Sequence, residues 1–210
     1  MEPDPPDLLD SLPAATELGP EGLSEAALEG VGLSGHQAAS SEVDGCRLER
    51  VDLSAARLSG SRLRDCALRE CNLSNADFPN GRWLRLRIEG SRMTGLRASE
   101  AELSDVSIEG CRLDLAAFAE ATIEHARIVG CDLRGSSWQA ANLREVSFED
   151  CDLSEADLTE ASFEGVAMRG CRLEGILDAA ELRGISMSWG DVVANAALFA
   201  TACGIEIEDD

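Results

Sequence analysis

Between Leu48 and Leu173 every fifth residue is large and apolar, with one exception. The series opens with Leu48, Leu53, Leu58 and Leu63, takes in Phe78, Trp83, Phe118 and Trp138, and closes with Leu158, Phe163, Met168 and Leu173. Ala98 is the exception among 26 positions. Two places before each large residue stands Ala, Cys, Ser, Gly or Val, except at Leu86 and Leu96. The other three places of each block of five are mostly polar.

No regular element has this period. In a helix, five residues turn about 500°, so successive large residues would drift about 140° around the axis. In a strand, residues two apart share a face, which suits the small–large pair. A longer strand would bring the next-but-one residue onto that face too, yet Arg, Glu, Asp, Asn or Gly usually stands there. The chain must therefore turn a corner in every block, and four corners close a square coil. The cysteines repeat with that coil: Cys111, Cys131, Cys151 and Cys171 are 20 apart, as are Cys46 and Cys66. Ala98 and Leu96 exchange large for small within one layer, so the two swaps compensate in volume.

Blocks ADLTE (156–160), CNLSN (71–75), ANLRE (141–145) and CDLSE (151–155) closely resemble the consensus of the pentapeptide-repeat family, roughly A(D/N)LXX. The resemblance covers about 44–175. It implies an all-β solenoid, a right-handed quadrilateral β-helix with Leu or Phe on the axis and small residues packed between them. Leu outnumbers Phe at the centre here. Twenty-six blocks make about six and a half coils, a rod of about 31 Å at a strand spacing of ~4.8 Å. Its two ends need caps.

The ends depart from the pattern. Residues 1–20 are rich in Pro and Asp and read as a disordered acidic tail. Residues 21–43 keep the register weakly, with His36 and Ala38 out of place, and read as a degenerate first coil or cap. The repeat rod is expected over 44–188, with a break at Asp178 and a resumption shifted by one in ELRGISM (181–187). Residues 189–210 read as a short apolar helix with Asp191 as N-cap and Gly204 just past its end, then a short strand at Ile205 and Ile207. Val192, Val193, Ala196, Phe199, Ile205 and Ile207 are the candidate dimer interface, because they offer more apolar surface than one coil end needs to cover. The family resemblance also implies dimerisation through a C-terminal helix.

Charge narrows the function. All 18 basic residues are Arg, against 40 acids, for a net charge of −22. Such a chain repels nucleic acid and anionic membranes and suits a protein partner with a basic surface. Residues 44–100 are net +3 with a cluster at Arg82, Arg85 and Arg87, whereas residues 101–175 are net −10. No catalytic motif, phosphate loop or converging ligand set is visible, so the expectation is a binding protein without enzyme activity, metal or cofactor. The cysteine columns alternate with Ala, Ser and Val in the same phase, which reads as packing. His125 occupies an outward place, and Cys203 is the thiol outside the pattern. The start of the chain lacks a basic and apolar leader, no apolar run approaches ~20 residues, and the Arg-only basic set suggests a GC-rich bacterium, so a bacterial cytoplasmic location is expected. The MfpA and Qnr types of the family imply a specific role: an acidic rod that mimics DNA, binds DNA gyrase and gives resistance to quinolones. The loop-free MfpA type is the nearer match. Candidate contacts for such a partner are Glu145, Glu149, Asp150, Glu155, Glu160 and Glu164. The alternative is a structural or scaffolding rod that binds a different protein.

Overall fold

The computed structural model describes residues 2–19, 21–177, 179 and 182–207. Its strands are β1 (Ala14–Ala15), β2 (Gly22–Ser24), β3 (Ala27–Glu29), β4 (Glu42–Asp44), β5 (Arg47–Glu49), β6 (Arg62–Arg69), β7 (Arg82–Glu89), β8 (Glu102–Glu109), β9 (Thr122–Val129), β10 (Asn142–Glu149), β11 (Ser162–Glu164), β12 (Ala167–Arg169) and β13 (Ser186–Met187). Two helices follow, α1 (Trp189–Ala194) and α2 (Ala196–Ala202).

The strands stack in parallel with a constant offset of 20. On the first side of the square, Arg62 pairs with Arg82, Arg82 with Glu102, Glu102 with Thr122, and Thr122 with Asn142. The third and fourth sides are joined by single bridges with the same offset, such as Asp52–Asn72–Arg92 and Arg57–Asp77–Arg97. Taking the coil 61–80 as the type, the first side is 61–65, the second 66–70, the third 71–75 and the fourth 76–80. Each corner falls on a residue numbered by a multiple of five. From Glu25 to Gly175 every such residue is left-handed, with φ between 46° and 68°.

Inside, the large residues fill the axis and the small ones pack against them. Trp83, Trp138, Phe78, Phe118 and Phe148 are fully buried. Phe118 and Trp138, one coil apart, stack with centroids 4.6 Å apart, and Phe148 meets Trp138 edge-on at 5.7 Å. Leu96 and Ala98 are both buried, so their exchange is accommodated within its layer. The seven patterned cysteines are free thiols buried in the columns, and Cys203 is exposed.

The rod is longer than the strict pattern predicts. Gly22 pairs with Glu42 and Ala27 with Arg47, so residues 21–43 are a coil in the common register. Pairing with an offset of 20 then runs to Leu177, giving about eight coils and about 38 Å. At the N-terminal end, β1 lies on β3 and Leu18 is buried beneath the first coil. Residues 2–7 differ from the expected disordered tail. They lie along the outside of the rod, where Asp7 N–H donates to Asp65 Oδ1 at 2.9 Å. At the other end, β12 pairs with β13 at an offset of 19, through Ala167–Ser186 and Met168–Met187. Asp178 and Glu181 lie outside the described residues.

The C-terminal segment corrects three expectations. Ser188, rather than Asp191, is the N-cap: its Oγ accepts from Asp191 N–H at 3.1 Å. Asp191 instead sits three residues in, accepting from Ser188 Oγ–H at 2.6 Å and from Gly170 N–H at 2.9 Å, which ties the helix to the last coil. The helix is broken at Asn195 into two short pieces. Ile205 and Ile207 form no strand, because no neighbouring edge pairs with them. Gly204 does follow the helix end as the spacing predicts, with φ 75° and Ile205 N–H donating to Ala200 C=O at 2.9 Å.

Candidate partner-binding surface

The six candidate acids are spread around the rod. Glu145 is at the corner of the first and second sides, Glu149 on the second side, and Asp150 at the next corner. Glu155 and Glu160 occupy the third and fourth corners, and Glu164 lies on the first side of the following coil. They form a belt, because consecutive corners of one coil point a quarter turn apart. Three of them are already engaged. Glu149 pairs with Arg127 at 3.0 Å, Glu164 with Arg144 at 2.9 Å, and Glu145 lies 3.4 Å from His125. The two arginines cancel much of the field that Glu149 and Glu164 could offer a ligand.

One side keeps its carboxylates without basic neighbours. From Ala116 to Leu177 the fourth side carries no Arg. Glu100, Glu120 and Glu160 stand in one column along its edge, one and then two coils apart, or about 4.8 and 9.6 Å. Asp157 lies on its face and Glu155 on its other edge. None of these five carboxylates makes an ion pair among the described residues. Glu100, Glu120 and Asp157 lie outside the set picked from sequence, although the 20-residue period applied to polar places would have aligned them.

The other three sides carry ion pairs without reaching neutrality: over residues 101–165 the first side holds five acids against Arg144 alone. The Arg82–Arg87 cluster is paired throughout: Arg82 with Glu102 at 3.1 Å, Arg85 with Asp65 at 2.5 Å, and Arg87 with Glu89 at 2.7 Å. Asp65 is only 7% exposed, and the Arg85 guanidinium holds its carboxyl below the usual range although burial opposes this. Asp132 is held low in the same way by Arg134. In the core, burial pushes the Cys71 thiol up. No group of three or more His, Cys, Asp or Glu side chains among the described residues is placed to hold a metal ion.

The C-terminal helices present apolar side chains outward. Trp189 is 80% exposed, Val193 56% and Ile205 59%, with Ile207 and Ala196 exposed beside them. Val192 and Phe199 are half-buried. No residue of α1 or α2 is buried. No helix among the described residues is long and apolar enough to cross a membrane.

Two family models match the sequence: a pentapeptide repeat region over residues 101–177 and pentapeptide repeats, in eight copies, over residues 46–81. No curated protein matches it. Among solved structures, the chain is similar to trypsin-treated QnrB1, a plasmid-mediated fluoroquinolone resistance protein, at 19% identity. That alignment covers 87% of this chain and 97% of the other, with a TM-score of 0.47. It is also similar to HetL, a pentapeptide repeat protein involved in heterocyst differentiation regulation in the cyanobacterium Nostoc sp. strain PCC 7120. There the identity is 20%, the coverage 81% and 92%, and the TM-score 0.37.

Proposed function

The chain belongs to the pentapeptide-repeat family, and from that premise we propose that it is a DNA-mimicking binder of a type II topoisomerase, DNA gyrase, in the bacterial cytoplasm. One observation carries this reading: the uncompensated carboxylates of the fourth side, in a straight column on a rigid rod. Residues 101–175 carry net −10 over about 18 Å of axis, or one charge per ~1.8 Å. Duplex DNA carries one per ~1.7 Å. A surface built to hold a duplex would meet a similar linear charge here. It would meet it without base edges, so recognition rests on shape and charge. Two copies joined through the exposed apolar C-terminal helices would extend the acidic halves into one longer object, with the Arg-rich halves at its far ends. Resistance to gyrase-directed drugs would follow if the rod displaces DNA from the drug-bound enzyme.

The proposal separates the acids by face. Reversing Glu120, Asp157 and Glu160 together to Arg should weaken gyrase binding at least tenfold. Reversing Glu149 and Glu164, already paired with Arg127 and Arg144, should weaken it far less. Surface-capture binding at fixed low salt reads both, with circular dichroism to check the fold. Equal losses in the two variants would contradict the fourth-side assignment. A scaffolding rod for a different protein is the second reading, favoured by the pairing of Glu149 and Glu164 with arginines. Failure of both variants to change gyrase binding would support it.

A further inference from the structure

Residues 2–7, Glu-Pro-Asp-Pro-Pro-Asp, lie against the corner of the first and second sides, over the coils that carry Asp65, Arg85 and Asp105. Pro3, Pro5 and Pro6 have no backbone N–H, so residues 3–7 own only two such donors. Those two reach the rod. Asp7 N–H donates to Asp65 Oδ1 at 2.9 Å, and Asp4 N–H reaches Asp105 Oδ1 at 3.5 Å. Asp65 and Asp105 are two coils apart, about 9.6 Å. Three residues of polyproline II advance about 9.3 Å, so donors three apart match acceptors two coils apart. The same threefold period turns Pro3 and Pro6 to one face, and these two are half-buried while Asp4, Pro5 and Asp7 are exposed.

Both partners are preorganised. Three prolines fix φ, and Glu2, Asp4 and Pro5 each precede a proline, which excludes the helical region for them. The segment therefore loses little conformational freedom on docking. On the rod, Asp65 is held ionised and oriented by Arg85, whose Nε and a terminal nitrogen donate to its two oxygens at 2.6 and 2.5 Å. A charged acceptor gives a stronger bond to a backbone N–H than a neutral one does. A half-open space of about 380 Å³ lies between residues 2–6 and Leu86, Arg87, Ser107 and Glu109.

We propose that this corner is a groove for an extended proline-rich chain, read by Asp65 and Asp105 as two N–H donors three residues apart, with residues 2–7 as its resident occupant. A partner segment of the pattern X-Pro-Pro-X would compete for the groove. The tethered segment sets the threshold, because its effective concentration is in the millimolar range. The groove lies diagonally across the rod from Glu155, so it stands or falls independently of the gyrase reading.

The test uses isotope-labelled full-length protein. In the wild type, the Asp4 and Asp7 amides should exchange with solvent at least about tenfold more slowly than in a free chain. In the double variant Asp4→Pro, Asp7→Pro, which lacks both donors but keeps an extended backbone, a peptide of residues 2–13 should shift the amide signals of Asp65, Arg85 and Asp105. The same peptide with proline at both Asp positions should not. Free-chain exchange of both amides in the wild type would overturn the proposal. So would equal shifts with either peptide, or no shift with the first at several millimolar.

Discussion

At the residue scale, each place of the repeat has a physical reason. The fifth is the corner. Of the 31 corner residues from Glu25 to Gly175, 19 are not glycine, although each left-handed residue costs roughly 1–2 kcal/mol. The corner N–H groups donate to the next coil, as Ala55 does to Ser74 C=O at 2.9 Å and Asp150 to Arg169 C=O at 2.8 Å. A bond worth about 1 kcal/mol offsets much of that cost. The second place is often Asp or Asn because its side chain accepts the N–H two residues on: Asp52 from Ser54 at 3.0 Å, Asp157 from Thr159 at 3.0 Å. The first place must be small and buried, which gives a direct check on the cysteines. In the native protein only Cys203 should react with a thiol reagent, and all eight should react after denaturation; fast labelling of further thiols would contradict the packing. The two tryptophans differ as well. Trp138 Nε1–H donates to Ser136 Oγ at 2.8 Å, whereas Trp83 Nε1, beside Gly81, is buried without a partner among the described residues. Trp138→Phe should therefore cost about 1 kcal/mol more stability than Trp83→Phe in a denaturant titration. The large and small places were legible in the sequence because apolarity and size are properties of the residue type. The left-handed corners were legible only as a need to turn, since Glu, Arg, Leu and His do not announce such a conformation.

At the scale of the element, the ends show where a local pattern stops informing. The shift of register before β13 is readable because Met187 keeps its apolar partner Met168. The helix break is not, since Asn195 fits a helix interior by type; here its side-chain amide donates to Asp191 C=O at 2.9 Å and its own N–H also returns to that carbonyl. The placement of residues 2–7 is not legible for a related reason: a Pro- and Asp-rich composition describes a chain that cannot build a core, and says nothing of a groove elsewhere that accepts it. Asp191 is the element's pH-sensitive point. Its carboxyl is held low, first by Ser188 and then by Gly170 N–H. A depressed pKa contributes stability above the unfolded value near 3.9, lost as pH falls through the folded one. The C-terminal helices should thus loosen as pH falls below about 4, seen as a change in Trp189 emission. Asp191→Asn should blunt that step. If the exposed apolar helices join two copies, Phe199→Asp should convert a dimer to a monomer in sedimentation. A wild type that sediments as a monomer would refute that interface.

At the scale of the whole molecule, a constant offset of 20 turns a sequence period into a straight object. Every polar place becomes a column, and the charge of a column is the sum of residues 20 apart. The net charge of a segment therefore leaves open how that charge is shared among the four sides. Within residues 101–175, Arg127, Arg134, Arg144 and Arg172 pair with carboxylates on the first three sides. The fourth side has no Arg from Ala116 to Leu177, so its carboxylates there stay unpaired among the described residues. The same arithmetic dissolves the apparent basic patch of Arg82, Arg85 and Arg87 into ion pairs with neighbours one coil away or two residues along. The measurement that most directly tests the account is a titration of gyrase supercoiling with the purified protein at two salt concentrations, with and without a fluoroquinolone. Charge mimicry predicts inhibition or drug protection at micromolar protein or below, weakened at least tenfold at the higher salt and lost in the Glu120→Arg, Asp157→Arg, Glu160→Arg variant. Supercoiling unaffected by the protein under every condition, with gyrase from a matched bacterial source, would contradict it.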